Sequence, residues 1–95
     1  MLLFTILTEF IGTFIFLEVV LIAGQAIPIA LALAGVLYFA GGAGHFNPAI
    51  SMMMLAKGSI SVTSFVACVT AQIVAGLMAL LWHRYAILPA NKKYD

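Results

Sequence analysis

Gly44-His45-Phe46-Asn47-Pro48-Ala49-Ile50-Ser51 is a polar, helix-starting turn set inside a chain apolar enough to live in lipid. Asn is a favoured helix N-cap and Pro a favoured first helical residue, so the stretch predicts a helix that begins at Pro48. Its first N–H groups lack intrahelical partners, and its positive dipole end points at whatever lies in front. Backbone that leaves the helical path at membrane depth must be buried in protein or line something wet. Half-helices of this kind build pores and transport sites.

The surrounding composition sets the solvent. Of 95 residues, 65% are hydrophobic and 7% charged, and the mean hydropathy is +1.22, far from the balance of a soluble domain. The length accommodates about three spanning helices of ~20 residues and one shorter piece. A large pore or a second, soluble domain does not fit, which points to an oligomer. The formal net charge of +1 excludes a basic nucleic-acid footprint, and no cluster of four or more Lys/Arg marks a lipid-headgroup site. Cys68 is the single cysteine, so there is no intrachain disulfide, and it reads as a small core residue rather than a reactive thiol. No basic region precedes the first apolar run and Glu9 interrupts it, so the run reads as a retained span rather than a signal peptide.

That run, residues 2–23, is about 33 Å long as a helix. Gly24-Gln25 turns the chain, and a second helix with Pro28 in its first turn reaches Phe39 or Ala40, where three glycines among residues 41–44 stop it early. Pro48 to about Ala56 is half a bilayer of helix, ended by Lys57-Gly58. This segment dips in and returns. A last helix runs from about Ser61 to Tyr85, with Trp82 and Tyr85 at interface depth. Small residues recur every fourth position at Thr63, Ala67, Ala71, Ala75 and Ala79, and at Ala26, Ala30 and Ala34, which lets helix backbones approach closely. Three spans and a re-entrant half-span put the termini on opposite faces. Lys57 then faces Arg84, Lys92 and Lys93 across the membrane, which favours a cytoplasmic C-terminus. The expected fold is an all-α, multi-pass integral membrane protein, with residues 1–88 as one repeat unit and 89–95 as a polar tail.

Glu9 and Glu18 are ionisable residues inside the first span, nine positions apart and on roughly opposite faces. Glu9 reads as structural or pore-supporting. Glu18 stays open between an oligomer contact, a protonated lipid-facing side chain and an ion site. Gln72 carries donors and an acceptor suited to bracing a loop without internal hydrogen bonds, and His45 reads as a brace of the same loop. Met52, Met53 and Met54 are adaptable packing. His45, Glu9, His83 and Cys68 show no metal-ligand spacing, and no serine has a nearby base and orienter. Neither a metal, a cofactor nor an enzyme activity is expected.

Three stretches, in order and at matching spacing, resemble the aquaporin and glycerol-facilitator family, the major intrinsic proteins. Thr8-Glu9-Phe10-Ile11-Gly12-Thr13-Phe14 is similar to the opening of that family's first helix. Gly44 to Ser51 resembles its Asn-Pro-Ala loop, and Ala71-Gln72 with Ala75-Gly76 its third helix. Ordinary members carry two such halves, inverted relative to each other; this chain carries one. The resemblance implies that two copies meet head to head at mid-membrane. Asn47 would donate to a solute in single file, the carbonyls of Ala43, Gly44, His45 and Phe46 would form an acceptor ladder, and Glu9, with Gln72 and Pro48, would support the loop from behind. Opposed half-helix N-termini place positive potential at the channel centre, which discourages cations while passing neutral solutes.

By the same resemblance, the selectivity-filter positions fall on Ile27, Gly35, Gly44 and Ile50. Ile50 stands where the family's filter arginine usually sits, so the expected ring is wide and uncharged, with room for glycerol- or urea-sized solutes as well as water. The expectation is therefore a passive channel formed by an antiparallel homodimer in the lipid bilayer, with pores assembling further into tetramers. A half-channel subunit with a different, opposite-facing partner and a non-conducting membrane assembly subunit are the rival readings.

Overall fold

A computed structural model describes residues 2–88; the polar tail at 89–95, with Lys92 and Lys93, lies outside the described residues. The regular structure of the described residues is all helical, joined by short turns and the loop at 40–47. Helix α1 spans Leu2–Ala23, α2 Ala26–Phe39, α3 Pro48–Lys57 and α4 Val62–Trp82, which continues into a π-helical turn at His83–Ile87. Three of the boundaries show a local cause. The Asn47 side chain accepts from the Ala49 N–H at 2.9 Å and caps α3. At the other end Gly58 takes φ 86°, a left-handed conformation open to glycine, and the Gly58 and Ser59 N–H groups close on Leu55 and Met54. Ser61 Oγ accepts from the Ser64 N–H at 3.1 Å and caps α4.

Two helices are long and apolar enough to cross a membrane, Leu2–Ala23 and the continuous Val62–Ile87. Helix α2, with 14 residues, is about 21 Å long and shorter than the ~30 Å hydrocarbon layer. Among the described residues two helices, not the three expected, thus have spanning length.

Helix α4 packs along α1, and α2 lies on another side of α1. The α1–α4 seam is made by small residues: Ala71, Ala75 and Ala79 are buried, and a Cβ on Gly76 would meet Leu17 at 3.3 Å. The rest of that four-residue repeat does not join the seam, since Thr63 is exposed and Ala67 half-buried. Ala26, Ala30 and Ala34 are all exposed, so the expected ridge on α2 makes no close approach within the protomer. The distribution of polarity inverts that of a soluble protein. Glu9, Thr13, Ser51, Gln72 and His83 are buried, whereas Leu3, Ile22, Phe39, Val62 and Leu77 are exposed. Polar atoms in the interior and large apolar side chains outside are what a lipid solvent demands of an all-α membrane protein.

Candidate functional site

The segment between α2 and α3 has its own fastening. Glu9, 1% exposed, lies behind it, and its carboxylate accepts the backbone N–H groups of His45 at 2.7 Å and Phe46 at 2.8 Å. Gln72 on α4 donates its amide to Glu9 Oε1 and to Ser51 Oγ, both at 3.0 Å. The acceptor-only carboxylate sets that orientation by requiring the NH2 end. Ser51 Oγ is also 2.8 Å from His45 Nδ1. Helices α1, α3 and α4 and the loop thus meet in one polar knot, which supplies the loop N–H groups with the partners that lipid cannot.

Phe46 is the structural pivot of the loop. It takes φ 58°, a left-handed value that a non-glycine residue adopts at some cost. Its ring is 4% exposed and lies on two glycines: a Cβ on Gly12 or on Gly44 would fall 2.1 Å from a ring carbon. The bond from its N–H to Glu9 and the burial of its ring hold this conformation. Gly44 therefore offers no open space, contrary to the expectation of a wide filter at that position, because the Phe46 ring occupies it. Any contribution of Phe46 to a pore rests on its carbonyl.

The remaining site residues divide as follows. Asn47 is exposed at the α3 N-terminus, and Ala43 is exposed on the loop. None of the carbonyls of Ala43, Gly44, His45 and Phe46 accepts a backbone hydrogen bond outside the helices among the described residues. Gly35 lines an apolar groove of about 760 Å³ between α1 and α2, with Gly12, Ile15, Phe39 and Phe46 also in its wall; nothing lies within 4 Å of where its Cβ would be. Ile27 is 70% exposed at the start of α2 and Ile50 is half-buried in the first turn of α3; neither lines this groove. Within one protomer the four expected filter positions do not form a ring. A second cavity, of about 390 Å³, opens at Asn47 and Pro48 between α1 and α4. Thr13 and Gln72 line it, and Thr13 Oγ1 and Gln72 Oε1 are buried with no hydrogen-bond partner.

Two features escaped the sequence reading. Glu18, left open there, lies with Oε1 3.1 Å from Nδ1 of buried His83, joining α1 to the π-helical turn. The near-equal steps from Glu9 to Glu18 and from Gln72 to His83, nine and eleven residues, were the available signal. Parallel helices rise together at 1.5 Å per residue, so a contact at one level implies another. The other feature is a cluster of potential metal ligands. Glu9, His45 and Cys68 come from three separate elements, and one ligand atom of each lies within 4.8 Å of the others. No local spacing motif connects them, which is why the sequence showed none.

Over 67 residues the chain is 43% identical to a probable aquaporin TIP4-1 of Oryza sativa subsp. japonica, a stretch that takes in 67% of this chain and 26% of the rice protein. The chain spans about a quarter of the length of this curated relative. No protein-family model matches the chain, and no solved structure matches it. This partial likeness to one probable aquaporin points to the aquaporin family.

Proposed function

We propose that the protein is a passive, multi-pass membrane channel for water and small neutral solutes, of glycerol or urea size, whose pore forms when two protomers pair antiparallel. The observation that carries this reading is the end of α3. Ten residues give it about 15 Å, half the hydrocarbon layer. Its N-terminus opens on the cavity lined also by Thr13 and Gln72. A positive helix end calls for water or a second half-helix in front of it.

In this reading residues 1–88 form the half-channel and 89–95 its tail, with α2 completing the third crossing. Asn47 Oδ1 is held by the Ala49 N–H, so its NH2 group is the donor offered to the lumen. The carbonyls of Ala43, Gly44, His45 and Phe46 take the place of the solute's water shell, and Gly35, Ile27 and Ile50 set the width at the dimer level. Further assembly into a tetramer of pores belongs to the same reading. Transport in this reading is passive, with flux following the solute's own gradient.

Osmotic swelling of vesicles containing the purified chain alone tests this. Water and glycerol should enter faster than in protein-free vesicles, and Asn47→Leu, which removes the cap and the donor together, should reduce both fluxes at least severalfold. Protein inserted in both orientations that swells no faster than empty vesicles sinks the channel reading and favours an assembly subunit. Flux that appears only with an opposite-facing partner protein replaces the homodimer by a hetero-oligomer.

A further inference from the structure

We propose that Glu9, His45 and Cys68 form a binding site for one divalent cation of the zinc class, built into the knot that holds the loop. The three groups supply a carboxylate oxygen, an imidazole nitrogen and a thiol sulfur, a donor set that such cations accept together. Their ligand atoms already lie within 4.8 Å of one another. Bonds of about 2.0–2.3 Å in tetrahedral geometry place ligand atoms roughly 3.3–3.7 Å apart, so closure needs a contraction of about 1 Å.

Capacity for that closure is visible in the hydrogen bonds. Glu9 Oε1 accepts from the Phe46 N–H and from Gln72, while Oε2 accepts only from the His45 N–H. A carboxylate has about four lone-pair sites, which leaves one on Oε2 for a metal. His45 is half-buried and provides access, whereas Glu9 and Cys68, 1% and 2% exposed, form the closed wall. On binding, the Cys68 thiol loses its proton to the medium and its sulfur, the His45 ring nitrogen and Glu9 Oε2 each donate an electron pair to the cation. Binding thus releases one proton per metal and tightens as pH rises. Occupancy ties the loop to α1 and α4 more rigidly than hydrogen bonds do.

Cobalt(II) titration of the full chain in detergent micelles tests the site independently of any transport. Cys68 is the one cysteine, so a thiolate-to-cobalt charge-transfer band in the near ultraviolet can come from nowhere else. The Glu18–His83 pair, which contains no thiol, cannot produce it. The expected result is one cobalt per chain with that band, displacement by zinc, and release of about one proton. Cys68→Ser should abolish the band, and His45→Gln should weaken binding about tenfold or more. Cobalt binding without the band, or no saturable binding to wild-type protein, overturns the proposal. Because the band is read on wild-type protein, a variant that fails to fold leaves this test intact.

Discussion

Replacing Glu9 by Gln changes one atom of the knot and tests its logic. The wild-type carboxylate accepts from two backbone N–H groups and one side-chain amide. An amide has one oxygen, so its NH2 group must face at least one of those donors. At 1% exposure no bulk water replaces the lost acceptor. A buried donor left unpaired costs about 1–3 kcal/mol, with hydrogen bonds to a charged acceptor at the upper end. The cost falls on the loop rather than on the α1–α4 seam, which small apolar residues hold. Amide hydrogen exchange of His45 and Phe46 in micelles reads this directly. One to three kcal/mol of easier opening corresponds to roughly 5- to 150-fold faster exchange at these two amides, since about 1.4 kcal/mol is a factor of ten. Amides in the middle of α4 should keep their protection. Unchanged exchange at His45 and Phe46 in a folded Glu9→Gln protein would falsify the assignment of Glu9 as the loop's acceptor.

The contact between Phe46 and two glycines predicts strong coupling. Gly12→Ala should destabilise the protein by about 1–3 kcal/mol through overpacking, and the loss should largely vanish in a Phe46→Ala background, as a double-mutant cycle of thermal or denaturant unfolding can read. Glu18→Ala removes a partner from the buried His83 ring and should lower stability by about 1–3 kcal/mol, with the loss appearing as faster exchange around the π-helical turn; an unaltered melting curve would remove the pair from the fold's supports. Under the channel reading, Ile50→Arg should lower glycerol flux more than water flux in vesicles of verified, folded protein, because it narrows the lumen and adds a cation barrier. An unchanged water-to-glycerol ratio would place position 50 outside the pore.

The two ends of α3 and the start of α4 were legible in the chain itself because each has a local chemical signal. Asn47-Pro48, Lys57-Gly58 and Ser61 mark them within a residue or two of where the helices begin and stop, since caps and left-handed glycines act on their immediate neighbours. The lipid solvent was equally legible, because it depends on composition summed over whole segments. What touches what required the fold. The Glu9 bonds to His45 and Phe46 cross 36 and 37 positions, and the Gln72 bond to Glu9 crosses 63. Residues alone named Glu9, Gln72 and His45 as candidates, but nothing local distinguishes a buried acceptor from a snorkelling one. Gly44 shows the same limit most sharply. As a letter it stands for empty space, and only the left-handed Phe46, whose ring turns back over it and over Gly12, decides that the space is filled. Cys68 joins Glu9 and His45 for the same reason: three elements converge there through packing of α4 on α1, a property of the assembled helices and not of any segment of the sequence.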